Sequence, residues 1–170
     1  LIDKAHEQGV RVLVLPELCI TGYTCQDLFF QQTLLDGALN ALKDITEHSA
    51  GLDMLIAVGC PLRFRGELYN CAVVMKDGKI LGVVPKKFLP NYNEFYEKRH
   101  FTAAPEGEYD IELFGESVPF GLGLLFECRG TPELVFAAEI CEDLWAAEPP
   151  SISLALGGAT LIANLSASNE

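Results

Sequence analysis

Hydrophobic residues in this chain fall mostly into short unbroken runs separated by turn residues. The first run, Val10 to Pro16, is interrupted only by Arg11. A run of that length without polar alternation predicts a strand buried on both faces. Ahead of it, Leu1 to Gly9 reads as the last turns of a helix, with Gly9 as its stop. Thr21-Gly22-Tyr23-Thr24 is a loop, and Thr24 followed by Asp27 resembles an N-terminal capping arrangement. Leu28, Leu35, Leu39, Leu42 and Ile45 then recur at helical spacing up to about Glu47, with Gly37 as a weak point. Met54 to Val58 is the next strand, ended by Gly59-Cys60-Pro61. Tyr69 to Met75 and Lys79 to Val84 form two more. Lys76-Asp77-Gly78 joins them as a hairpin, because Asp-Gly tolerates positive φ.

Periodicity fades after that. Lys86 to Phe101 mixes aromatic and charged residues and reads as a long functional loop with a short helix. Ala103 to Val118 is rich in Gly and Glu and is expected to be exposed, followed by a short strand about Leu122 to Glu127. Leu134 to Ile140 and Ala159 to Leu165 are strands, and Pro149-Pro150 opens a helix from Ser151 to Leu156. Strands alternate with helices but include a hairpin, so the fold class is α/β with a mixed sheet.

Composition narrows the function classes. A chain of 170 residues with 49% hydrophobic content can bury a sizeable core as one domain. Its net charge of −12 argues against general nucleic-acid binding, which needs clustered Lys and Arg. No run approaches the roughly 20 apolar residues of a membrane span, and no signal-peptide pattern opens the chain. The cysteines (Cys19, Cys25, Cys60, Cys71, Cys128 and Cys141) have no C-x-x-C spacing and no nearby His, which predicts no metal site. Cys19, Cys60 and Cys71 sit in apolar runs as buried thiols, and a reducing, cytoplasmic compartment fits them. His6, His48 and His100 are expected at the surface. The chain opens inside a helix and stops just after a strand, so a piece of a longer protein is expected, incomplete at both ends.

Three strand-like runs each end in one group fit for chemistry. Val12 to Pro16 delivers Glu17, Ile80 to Pro85 delivers Lys86, and Leu134 to Ile140 delivers Cys141. A thiol becomes a competent nucleophile beside a base, a cation or a helix N-terminus. A carboxylate can take its proton, while an ammonium and a backbone N–H hold the oxyanion formed on an amide carbonyl. Taken singly, each residue has a blander reading: a packed inert thiol, a solvated strand end, a surface lysine. Local pattern does not choose between Lys86 and Lys87.

Three longer motifs sharpen this. Pro16-Glu17-Leu18-Cys19-Ile20-Thr21-Gly22-Tyr23, then Lys86-x-x-Leu89-Pro90 leading to Phe95-x-Glu97, then Ile140-Cys141-Glu142-Asp143-Leu144-Trp145 occur in the order of the nitrilase (carbon–nitrogen hydrolase) superfamily. Thr21 to Phe29, Phe88 to Arg99 and Ala163 to Ser168 resemble more closely one branch, the glutaminase domain of glutamine-dependent NAD+ synthetases. The resemblance implies a nitrilase-like αββα sandwich and a partial glutamine amidohydrolase domain over residues 1–170. It also implies Glu17 as general base, Lys86 (three residues before Leu89-Pro90) as the charge-stabilising lysine and Cys141 as nucleophile. Glu97 supports the lysine, the N–H of Glu142 donates to the oxyanion, and Tyr92 and Ser168 contact glutamine. Asp143 and Trp145 are read as structural.

The implied reaction is hydrolysis of L-glutamine to glutamate and ammonia through a Cys thioester, with no cofactor for the amidase portion. In the intact protein the ammonia would serve ATP- and Mg2+-dependent amidation of deamido-NAD to NAD+ in a C-terminal synthetase domain. That domain's S-G-G-x-D-like phosphate loop does not occur in this chain, so the piece is not expected to make NAD+ alone. A homo-oligomer is expected. The alternatives are a free-standing amidase, nitrilase or carbamoylase acting on another small amide or nitrile, and a non-catalytic oligomerisation module.

Overall fold

The computed structural model describes residues 1–168. In chain order the elements are α1 (Ile2–Glu7), β1 (Val12–Val14), a 3-10 segment (Tyr23–Phe30), α2 (Gln32–His48), β2 (Leu55–Phe64), β3 (Glu67–Lys76) and β4 (Lys79–Pro85). They continue with α3 (Glu97–His100), β5 (Tyr109–Leu113), β6 (Glu116–Phe120), β7 (Phe126–Glu127), β8 (Val135–Ile140), a 3-10 turn (Cys141–Trp145), α4 (Pro150–Leu156) and β9 (Leu161–Leu165). The strands form a six-stranded mixed sheet, ordered β1-β2-β3-β4-β6-β5, and a three-stranded mixed sheet, ordered β7-β8-β9.

Strand alternation sorts residues between two cores. Ile56, Val58, Cys60 and Leu62 of β2, with Cys71, Val73 and Met75 of β3, pack against Ala5 of α1 and Ala38 and Leu42 of α2. The intervening residues Ala57, Ala72, Val74 and Val84 face the second sheet, where Phe136, Ala138, Ile140 and Leu165 meet them. Helix α4 packs outside that second sheet through buried Leu154. The layers therefore run helix, sheet, sheet, helix, and both sheets are open rather than closed.

The inter-sheet face is where chemistry gathers. In β3 the set Asn70, Ala72, Val74 continues toward one end of the sandwich, and in β4 the set Gly82, Val84 leads to Lys86. Gly82 is a close-approach position. A Cβ there would stand 2.8 Å from a methyl of Leu124 and 3.0 Å from the Phe126 ring.

Several expectations are corrected. The first strand is short, lies at the sheet edge and is half-exposed, because only β2 pairs with it. Thr24 makes no cap. It lies within the 3-10 segment at non-helical angles, and Asp27 instead pairs with Arg99 and His100. Helix α2 starts at Gln32, which leaves Leu28 outside it and exposed. Strand β2 runs through Gly59-Cys60-Pro61 to Phe64. Pro61 is tolerated there because β1 has already ended and its missing N–H faces no partner strand. The stretch expected to be exposed holds a hairpin, β5–β6, turned at Phe114 and Gly115, both at positive φ. It buries Ile111, Leu113, Val118 and Phe120. His100 is half-buried against Phe29 and Phe30 rather than at the surface. The Asp77-Gly78 hairpin, the short helix in the aromatic loop and the last strand–helix–strand segment stand as read, within a residue or two.

Candidate active site

Glu17 opens the turn that leaves β1 and crosses the face of β2. Leu18 adopts a positive φ of 49° there. This crossing is so close that a Cβ on Gly59 would stand 2.1 Å from the Leu18 nitrogen and 2.7 Å from the Glu17 carbonyl carbon. Only glycine permits the approach. Glu17 is 2% exposed. A carboxylate so buried needs partners, and it has three. Lys86 Nζ donates to Oε1 at 2.6 Å, Asn70 Nδ2 donates to the same oxygen at 2.7 Å, and the Ala167 N–H donates to Oε2 at 3.2 Å.

Lys86 leaves β4 on the inter-sheet side and is fully buried. Its ammonium also donates to Glu97 Oε1 at 2.6 Å, from the first residue of α3. Burial pulls this ammonium down, but the charges of Glu17 and Glu97 outweigh it and hold Lys86 above its ordinary value. Glu97 is pushed up by burial, against the lowering effect of Lys86 and with a further push from Glu17. Tyr23 donates its hydroxyl to Glu97 Oε1 at 2.8 Å, and burial together with that carboxylate raises the phenol. Two carboxylates thus share one ammonium in a dry site.

Cys141 directly follows β8 at a positive φ of 45°, an elbow that turns the half-buried sulfur out of the strand. Three side chains from the end of β9 reach it. Asn164 Nδ2 donates to the Cys141 carbonyl at 3.3 Å, Ser166 donates to Sγ at 3.3 Å, and Ser168 Oγ stands 3.8 Å from Sγ. Among the described residues these hydroxyls are the sulfur's hydrogen-bond partners; neither Glu17 nor Lys86 is hydrogen-bonded to it. Ala167, between the two serines, donates to Glu17 and so ties the buried carboxylate to the segment that touches the sulfur.

Glu142 follows the elbow in a 3-10 turn, where the first N–H groups have no partner within the turn. Its carboxylate accepts the Tyr92 hydroxyl at 2.8 Å, which raises the phenol. Glu17, Lys86, Glu97 and Asn70 form one buried cluster, while Cys141, Ser166, Ser168, Glu142 and Tyr92 form its more exposed rim. A cleft of about 510 Å³ lies on the other side of Glu97, lined by Tyr23, Asp27, Phe29, Arg99 and His100 among others, and the sulfur does not face it.

Asn70, Asp143 and Ser166 escaped the sequence reading as site residues. Asp143, taken as structural, is 1% exposed and bridges the elbow to the segment after Lys86. Cys60 and Cys71 are buried as expected, and burial pushes both thiols up, whereas Cys19, expected with them, is only half-buried. Among the described residues no group of three or more His, Cys, Asp or Glu is placed to hold a metal ion. Nor is any helix there long and apolar enough to cross a membrane.

The chain as a whole is similar to known proteins. The carbon–nitrogen hydrolase family profile matches residues 1–170. The glutamine-dependent NAD(+) synthetase of Mycobacterium tuberculosis H37Rv is 45% identical over 163 residues, covering 96% of this chain and 24% of its own. A crystal structure of such a synthetase from Cytophaga hutchinsonii superposes with a TM-score of 0.83 at 34% identity, covering 98% of this chain and 26% of that one. An amidase from Nesterenkonia sp. shares the fold, with a TM-score of 0.68 at 19% identity over 96% of this chain and 54% of its own. This chain spans about a quarter of the length of the synthetases it matches. The chain belongs to the carbon–nitrogen hydrolase family.

Proposed function

We propose that this chain hydrolyses the side-chain amide of L-glutamine, with Cys141 as nucleophile. The observation that carries the reading is the buried Glu17–Lys86–Glu97 cluster, tied through Ala167 to the segment that touches the Cys141 sulfur. The relatives named for glutamine dependence supply the substrate class.

Glu17 takes the thiol proton, and the thiolate attacks the amide carbonyl carbon. The resulting oxyanion is held by Lys86 and the Glu142 N–H. The C–N bond breaks, and Glu17 returns its proton to the departing nitrogen, releasing ammonia and leaving a thioester. Glu17 next removes a proton from water. The hydroxide adds to the thioester, the C–S bond breaks, and Glu17 passes its proton to the departing sulfur, giving glutamate and the free thiol. Glu97 keeps the ammonium in place, and Tyr92 and Ser168 hold the amino-acid end of glutamine. Each step uses side chains of this chain and needs no cofactor. On the same reading the ammonia amidates deamido-NAD in a C-terminal synthetase domain that uses ATP and Mg2+. A homo-oligomer in the cytoplasm belongs to this reading too, and the free cysteines support a reducing compartment.

The test is Cys141→Ala in the protein expressed from its complete reading frame. Glutamine-driven NAD+ formation should vanish while ammonia-driven formation persists. Retained glutamine hydrolysis would refute the mechanism. Turnover of another small amide in place of glutamine would move the reading to a free-standing amidase.

A further inference from the structure

We propose that Ser166 is a catalytic residue, the hydrogen-bond donor that stabilises the Cys141 thiolate. This rests on Cys141 being the nucleophile and adds a part that the reading above leaves unfilled. The Lys86 ammonium is committed to two carboxylates at 2.6 Å each and is fully buried. Among the described residues no cation is hydrogen-bonded to the sulfur. What does touch it is the Ser166 hydroxyl at 3.3 Å, with the Ser168 hydroxyl farther off at 3.8 Å.

That hydroxyl is held in place from both sides. Asn164, two residues earlier, pins the Cys141 carbonyl at 3.3 Å, so the elbow and the serine share one strand end. Ala167, one residue later, gives its N–H to Glu17, so the general base and the donor move together. The Ser166 and Ser168 hydroxyls are hydrogen-bonded to each other at 2.5 Å. A hydroxyl has one proton to donate. If Ser166 gives its proton to sulfur, Ser168 must give its own to Ser166, which makes a directed chain ending on Sγ. Each bond in such a chain polarises the next.

The proton balance is simple. The thiol proton goes to Glu17, Ser166 keeps its own, and the O–H···S bond strengthens as sulfur becomes anionic. A serine that merely ended a strand would not respond to that charge.

The experiment uses the full-length protein and its Ser166→Ala, Ser166→Gly and Ser166→Thr variants. The readouts are the pH dependence of iodoacetamide alkylation at Cys141, followed by mass spectrometry, and the glutamine kcat and KM. Hydrogen bonds to charged groups are worth about 10- to 100-fold in equilibrium. Ser166→Ala and Ser166→Gly should therefore move the half-maximal alkylation pH up by about one to two units. They should lower kcat by about 10- to 100-fold and leave KM within about twofold. Ser166→Thr, which keeps the hydroxyl, should track the wild type. Alkylation profiles of Ser166→Ala and Ser166→Gly that coincide with wild type would overturn the proposal. If wild type fails to hydrolyse glutamine but the alkylation shift is present, the substrate assignment falls and the Ser166 role stands.

Discussion

The carboxylate of Asp143 accepts the backbone N–H of Phe88 at 2.7 Å, across the boundary between the two sheets. The same oxygen takes the Lys87 N–H at 3.1 Å, and the other takes the Ile140 N–H at 3.1 Å. One buried side chain thereby fixes the strand end that carries Lys86 against the elbow that carries Cys141. Burial pushes this carboxyl up to about 6, even though the three N–H groups and Lys86 pull it down.

Asp143→Asn puts an amide donor against one of those N–H groups. The cost should be about 1–3 kcal/mol at pH 7.5. Because the folded value lies above the ordinary 3.8, this group's contribution to stability is complete below about 4 and is lost as pH rises through about 6. Wild type should therefore gain on the Asn variant between pH 7.5 and 4.5, by at most on the order of 3 kcal/mol. Urea unfolding at the two pH values checks this, and a gap that does not widen on acidification contradicts it.

Gly59→Ala should strike activity harder than stability. The added methyl meets backbone atoms of Pro16, Glu17 and Leu18 at 2.1–2.7 Å, so the chain carrying Glu17 must shift. A displacement of about 1 Å in a catalytic group can cost about 10²-fold in rate, while overpacking costs about 1–3 kcal/mol. Gly37→Ala is the control. Its Cβ meets nothing within 4 Å, and it should stabilise α2 by about 0.5–1 kcal/mol. Glutamine turnover beside thermal melting separates the two outcomes.

Glu97→Gln and Lys86→Met should part company. With one ammonium between two carboxylates, removing the Glu97 charge leaves a neutral Lys86–Glu17 pair, whereas removing the ammonium leaves two buried acids. Lys86→Met should destabilise by about 3–5 kcal/mol. Glu97→Gln should melt close to wild type yet lose about 10²-fold in kcat as the lysine loses its second anchor. Calorimetry with steady-state kinetics decides, and equal destabilisation by both would contradict the charge count.

Lys87→Ala should be nearly silent beside Lys86→Ala. The Lys87 ammonium lies 5.0 Å from the Phe88 ring centroid, a contact worth about 0.5–1 kcal/mol. Its loss should leave glutamine turnover within a factor of a few, while Lys86→Ala should abolish it. Comparable losses in the two would refute the placement of the lysine.

Strand-end chemistry was readable because it depends on position along one segment. Glu17, Lys86 and Cys141 each follow an apolar run, and each run proved to be a strand. The edge position of β1 was not readable, since an apolar run says nothing about how many neighbours it will have. The β5–β6 hairpin was missed although Tyr109-Asp110-Ile111-Glu112-Leu113 alternates cleanly, because the outward acids dominate its composition. Asp143, Asn70 and Ser166 acquire their roles only where separate strand ends meet, and no single stretch of sequence records that meeting. Gly59 is similar: its importance comes from a backbone forty residues earlier crossing over it.

Glu17 and Lys86 ride on the six-stranded sheet, Cys141 and Ser166 on the three-stranded one. Their alignment is therefore only as good as the seam of Ala57, Ala72, Val74, Phe136 and Ala138 that spaces the two layers. Warming or a seam-thinning substitution should slacken this spacing before either layer unravels, so catalytic output should fade at temperatures where the circular-dichroism signal is still intact.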